Sequence, residues 1–311
     1  MLLTNKELLT SAVAGKYAVG AFNIQNLESL QAVAKAAQEE NSPVIVAVTP
    51  STIKYAELSY LTGLVKMTAE LADVPMSLHL DHGKDVETAA KCLGEGFTSV
   101  MIDGSHLDFE ENVAITEKVT EMAHKVEVSV EGELGRLVKV EDSSVEGKKA
   151  ILTDPEAARE FVERTNVDAL AVAIGTSHGA YKFVGEPRLD FKRLSEIREK
   201  VKIPLVLHAA SGVPVDIVEK ATRYGAQLTG AKGVPDMSIQ QAIELGIAKI
   251  NIDTDLRLAF TATIREVLTT MPTEFDPRKI LGPAREAMKK VVKDKIRLFA
   301  SSGKASTSKQ A

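Results

Sequence analysis

Hydrophobic positions fall into short continuous runs separated by longer stretches with helical spacing. The runs Tyr17–Ile24, Val44–Val48, Met76–Leu80, Thr98–Ile102, Glu127–Glu131, Ala169–Ile174, Leu205–His208 and Ala248–Ile252 predict eight strands. Between them, Leu27–Glu40, Ala56–Asp73, Asp85–Gly94, Asp108–Lys125, Asp154–Arg164, Asp190–Lys200, Val215–Tyr224, Met237–Leu245 and Asp255–Met271 predict helices. A further helix over Asn5–Ala14 opens on Thr4 with Glu7 placed for a capping box. Another spans Asp276–Phe299. Strands apolar on both faces and alternating with helices point to parallel βα units. Eight such units close a barrel. The expectation is therefore an α/β fold, a (β/α)8 TIM barrel with extra N-terminal and C-terminal helices. Residues 1–300 would form one domain, with 301–311 a flexible polar tail. A doubly wound open sheet is the alternative, but GAFNIQN after the first strand lacks its G-x-G-x-x-G turn.

Composition narrows the function. The chain has 311 residues, 44% hydrophobic and 26% charged, as an ordinary globular protein has. A net charge of −5 gives no basic footprint for nucleic acid. No apolar run is long enough to cross a bilayer, and the N-terminus does not read as a signal peptide. A cytoplasmic protein with no membrane partner is expected. The single Cys92 excludes an intramolecular disulfide, and six histidines favour nitrogen and oxygen ligands for any metal.

In a parallel barrel the C-terminal strand ends build the active site. Here they carry Asn23, Asp81-His82-Gly83, Asp103-Gly104-Ser105-His106, Glu131-Gly132-Glu133, Gly175-Thr176-Ser177-His178, His208-Ala209-Ala210-Ser211-Gly212 and Asn251-Ile252-Asp253-Thr254. One buried histidine is usually a hydrogen-bonded core residue; several on one rim point to a metal. Three imidazoles with an open fourth position suit catalytic zinc. The expected triad is His82, His178 and His208, with His106 the competitor. Asp81, Asp103 and Glu131 lie close enough in this scheme to orient ligands or move protons. Ser211-Gly212 and Asn251–Thr254 each precede a helix and could cradle phosphate, or simply cap it. Metal, acids and phosphate together suggest carbon–carbon chemistry on a phosphosugar. A Schiff-base lysine is the rival route, for which Lys249 is the one inward-facing candidate on these strands.

The motifs HLDHG (79–83), MIDGS (101–105), VEGELG (130–135), GTSHGAYK (175–182) and NIDTDLRLAF (251–260) resemble those of class II, metal-dependent fructose-bisphosphate and tagatose-bisphosphate aldolases. The likeness runs from residue 21 to residue 288 and is nearer the fructose-bisphosphate branch. It implies reversible cleavage of fructose 1,6-bisphosphate, a step of glycolysis and gluconeogenesis. Zn²⁺ would sit on His82, His178 and His208, with Asp103 and Glu131 at a second metal position. Asp81 would handle the hydroxyl proton and Glu141, on a loop, the carbon proton. Asn23 would reach into the site. Gly179, Ser211, Asn251 and Thr254 would hold the dihydroxyacetone phosphate end, with Ala209 and Ala210 beside Ser211 and with Ile252 and Asp253 between Asn251 and Thr254. Arg257 and Thr49 would serve the distal phosphate. A monovalent cation and a homodimer or homotetramer complete what the resemblance implies. Three departures stand out: Ala209-Ala210 replaces a Gly-Gly pair, Val138-Lys139 replaces another in the loop, and Thr49-Pro50-Ser51-Thr52 replaces Ser-x-Gly-Ala.

Overall fold

The computed structural model describes residues 1–136, 151–176, 189–228 and 231–305, and the backbone alone of 138–139 and 177–178. Eight parallel strands close a barrel: β1 Val19–Asn23, β2 Val44–Val48, β3 Met76–Gly83, β4 Ser99–Ile102, β5 Ser129–Leu134, β6 Ala169–Val172, β7 Leu205–Leu207 and β8 Ile247–Ile252. Each pairs with its sequence neighbours, and β8 returns to β1 through Val19–Lys249 and Ala21–Asn251. Strand alternation divides the apolar residues. Val44, Val46, Leu78, Leu80, Ile250 and Ile252 face outward into the layer beneath the helices. Ala21, Ile45, Ala47, Met101, Ala171 and Val206 face inward.

The helix Asn5–Gly15 plugs the barrel floor, laying Leu8, Leu9 and Ala12 against those inward residues. Its start is the capping box of Thr4 and Glu7 that the sequence predicts, an arrangement worth about 1 kcal/mol. The C-terminal helix Pro277–Leu298 packs outside, against Leu27–Glu39 and Thr254–Thr270. Lys289 and Lys293 reach Glu39 there at 3.0 and 2.7 Å.

Four local expectations change. β3 runs three residues past Leu80, to Gly83. β5 begins later, because Glu127 turns at φ 57° after the helix Phe109–His124. The Ala56–Asp73 helix is two helices, Pro50–Ala56 and Leu58–Leu71, broken at Glu57 with φ 62°. Pro50 occupies the first helical position, where its missing N–H costs nothing. Finally, the tail does not begin at 301. Ser301 is buried and shares a 2.7 Å hydrogen bond with Ser42, while the Gly303 and Ala305 amides bond the carbonyls of Glu40 and Asn41. Residues 306–311 lie outside the described set.

Candidate active site

β3 delivers Asp81 and His82 side by side. In a regular strand they would point to opposite faces. The register against β4 shifts between Leu80 and Gly83, and His82 adopts φ 51°, so both side chains reach the barrel mouth. A left-handed conformation in a non-glycine residue costs on the order of 1 kcal/mol, which the surrounding contacts must offset. Gly83 completes the turn: a Cβ there would lie 2.5 Å from the Met101 carbonyl oxygen.

Around this bulge the mouth assembles a polar cluster. His82 Nδ1 is 2.9 Å from Asp103 Oδ2 and 3.7 Å from Glu133 Oε2. The His82 and His208 rings meet edge-on with centroids 4.6 Å apart. His208 Nε2 lies 2.7 Å from Glu131 Oε1, while its buried Nδ1 has no hydrogen-bond partner and sits 3.9 Å from Asp81 Oδ1. Asp81 is oriented from both sides, accepting from the Asn23 amide at 2.7 Å and the Asn251 amide at 2.9 Å. Two donor sets, Asp81–His82–His208 and His82–Asp103–Glu133, each bring three ligand atoms within 4.8 Å of one another.

Electrostatics marks the cluster as short of a cation. Burial opposes the charge on His82, but Asp81 above all, then Asp103 and Glu133, outweigh it and raise its pKa to about 9. Burial, with Asp103 beside it, pushes the Glu133 carboxyl well above the usual range. Burial also acts on Asp81, but His82, His208 and Lys249 overcome it and hold the carboxyl below its ordinary value. A metal ion among these acids would supply the positive charge towards which the shifts on His82 and Glu133 point. The open lone pairs of His208 Nδ1 and Glu133 Oε2, in a set of nitrogen and oxygen donors, fit a divalent metal ion.

Comparison with known proteins gives this cluster its context. The family described as fructose-bisphosphate aldolase class-II matches residues 3–304. The chain belongs to that family. It is 55% identical to a fructose-bisphosphate aldolase of Thermus caldophilus, covering 98% of this chain and all of that one. It is 48% identical to a fructose-bisphosphate aldolase of Helicobacter pylori, again over 98% of this chain and all of the relative. Among solved structures, the YdjI aldolase from Escherichia coli K12 superimposes with a TM-score of 0.81 at 34% identity, over 98% of this chain and all of that one. The family is metal-dependent, and the mouth holds residues able to take an ion.

Other expected residues of this family member fall into place unevenly. Glu131 sits one pleat deeper than expected, salt-bridged to the fully buried Lys249 at 2.7 Å and bonded to His208. Glu133 takes the position at the mouth that the sequence reading gave to Glu131. Periodicity could not separate them, because both share one face of β5. His106 is exposed and away from the cluster, contributing its carbonyl to Arg136. The His178 side chain, Gly179 and Glu141 lie outside the described residues. At β7, Ala210 and Ser211 are buried and Ala209 turns at φ 55°. At β8, Asn251 faces the mouth, while the Ile252 side chain is packed in the outer core. Asp253 accepts from Gln25 at 2.9 Å and pairs with the exposed Arg257 at 3.3 Å. Burial, chiefly, raises the Asp253 carboxyl. Thr254 begins the next helix, and Thr49 caps Pro50–Ala56 through a 3.3 Å bond to its hydroxyl from the Thr52 amide. Gln25 escaped the sequence reading, although it lies within two residues of Asn23.

Proposed function

We propose that this protein cleaves fructose 1,6-bisphosphate reversibly to dihydroxyacetone phosphate and glyceraldehyde 3-phosphate, with Zn²⁺ as its ion. The observation that carries the reading is the convergence of Asp81, His208 Nδ1 and Glu133 Oε2 on one buried mouth, the last two without hydrogen-bond partners. His82, His208 and His178 are the proposed metal ligands, with Asp103 and Glu133 at a second position. Glu131, the acid first expected there, instead orients His208. When bound, such an ion polarises a carbonyl and stabilises developing negative charge.

The side chains supply the proton traffic. Held between two amides, Asp81 accepts the hydroxyl proton as the carbon–carbon bond breaks and returns it during synthesis. Glu141 is proposed to serve the carbon proton. Gly179, Ser211, Asn251 and Thr254 hold the dihydroxyacetone phosphate end, with a monovalent cation beside it. Arg257 and Thr49 face the distal phosphate, Arg257 through a fork suited to oxyanions. A cytoplasmic location and a homo-oligomer remain part of the proposal; the exposed apolar positions Tyr60, Met67 and Leu71 along one helix support the assembly.

A coupled assay on fructose 1,6-bisphosphate and its tagatose epimer, with and without chelator, tests the reading. The expected result is a higher kcat/KM for the fructose substrate, abolished by chelation. Activity confined to the tagatose epimer would overturn the substrate assignment. Binding of dihydroxyacetone phosphate without cleavage of either epimer would make the protein a binder.

A further inference from the structure

Asp255 is a completely buried carboxylate in the first turn of the helix Thr254–Thr270. A buried carboxylate needs hydrogen-bond donors and a countercharge. Asp255 has both. Its Oδ2 accepts from the Gly212 amide at 2.9 Å and its Oδ1 from the Val213 amide at 2.8 Å. The countercharge comes from outside the barrel wall. Lys295, on the C-terminal helix, places Nζ 3.2 Å from Asp255 Oδ2, with Asp236 a more distant neighbour at 3.9 Å.

The contact is tight and the loop it holds is strained. A methyl group on Gly212 would lie 2.8 Å from Lys295 Nζ, so a larger residue would make the ammonium shift. Val213 sits at φ 48°, a left-handed conformation that is a true outlier for a β-branched residue. Three bonds hold this loop in place: the Gly212 and Val213 amides donate to Asp255, and the Val234 amide donates to the Ser211 carbonyl at 3.1 Å. The Gly212 amide, which the sequence offered to phosphate, is turned to Asp255 instead.

We propose that Asp255 and Lys295 form a positioning brace for the phosphate end of the substrate, a role that rests on the aldolase reading above. Asp255 directly follows Thr254, and Gly212-Val213 directly follow Ser211. One carboxylate therefore ties together the two segments assigned to phosphate. Lys295 cancels that carboxylate's charge where a dianionic phosphate arrives. Without the ammonium, a bare carboxylate would stand behind the cradle and repel it.

The structure also provides a way to test the brace. Lys295 lines a cavity of about 510 Å³ whose walls include Val215, Ile217, Val291 and Leu298. A small amine can enter there. The experiment measures kinetics on fructose 1,6-bisphosphate, inhibition by inorganic phosphate and bound zinc for Lys295→Met and Lys295→Ala. The expected result is KM raised about tenfold, as for a buried group left unpaired, with a much smaller change in kcat, weaker phosphate inhibition and unchanged zinc content. Propylammonium should restore part of the KM in Lys295→Ala, which no general loss of structure would allow. Asp255→Asn should speed hydrogen exchange at the Gly212 and Val213 amides. An unchanged KM, or KM and zinc lost together, would overturn the brace. If Lys295→Ala does not fold, Lys295→Met, which keeps the apolar stem, decides. If the wild-type protein cleaves nothing, the aldolase reading falls; phosphate affinity unchanged in Lys295→Met would then reject the brace as well.

Discussion

His79 and His82 lie three residues apart on one strand, yet they belong to different polar clusters. His79 is in the lower barrel. Its Nδ1 meets Ser99 at 2.9 Å and Asn5 of the floor helix at 3.2 Å, and its Nε2 meets Lys249 at 3.2 Å. Lys249 in turn pairs with Glu131. That cluster leaves one acceptor open, the Asn5 side-chain oxygen, among the described residues. His82 is in the mouth, where His208 Nδ1, Glu133 Oε2 and Asn251 Oδ1 are all open. The lower cluster is buried and the mouth cluster nearly so, with His82 and Asp103 half-buried, and both are rich in charge. What separates structure from site is the convergence of unsatisfied lone pairs, since buried polar groups are otherwise paired.

Replacements can break this contrast. The largest effect is expected at Asp81→Asn, which keeps shape but cannot take a proton. Its kcat should fall on the order of 10²–10⁴-fold with zinc retained; a loss under tenfold would remove Asp81 from proton transfer. Lys249→Met should act on the fold, since removing one partner of a buried pair costs about 3–5 kcal/mol, read by urea denaturation of the metal-free protein. Glu131→Gln links the two clusters. By loosening His208 it should weaken zinc binding about 10–100-fold, and an unchanged zinc affinity would confine Glu131 to the lower cluster.

The smallest effects are slopes of stability against pH, and the two histidines should give opposite ones. His82 has its pKa raised to about 9, above an unfolded value of about 6.5. In metal-free protein it adds stability that is full below about pH 6.5 and lost as pH rises through about 9. His79 is lowered to about 3, by burial and then by Lys249. Its neutral form is lost to the unfolded state as pH falls from about 6.5 towards 3, so it lowers stability on the acid side. Denaturation across pH should therefore lose its alkaline slope in His82→Gln and part of its acid slope in His79→Gln. Zinc loading should flatten the alkaline slope in the wild type, because the ion replaces the His82 proton.

Much of this was legible in the chain. Continuous apolar runs marked all eight strands, and Asp81, His82 and His208 were placed at strand ends from pattern alone. Periodicity fixes which face a residue takes but not where a strand stops, so β5 was cut short and Glu133 was passed over for Glu131. The bulge at His82 depends on the pairing of β3 with β4, a long-range register that local sequence does not encode. Thr49-Pro50 carries a helix-start signal, but only seven helical residues follow before the break at Glu57, too few to show a period. The docking of Ser301–Ala305 rests on contacts with Ser42, Glu40 and Asn41, distant in sequence. The Asp255–Lys295 contact was hidden for the same reason.

The most direct measurement is a zinc titration of metal-stripped protein, following cleavage of fructose 1,6-bisphosphate, with a parallel borohydride trap. The account predicts no activity without metal, recovery on adding zinc, and no covalent labelling of any lysine. Activity that survives stripping, with borohydride attaching substrate to Lys249 or another lysine, would contradict it.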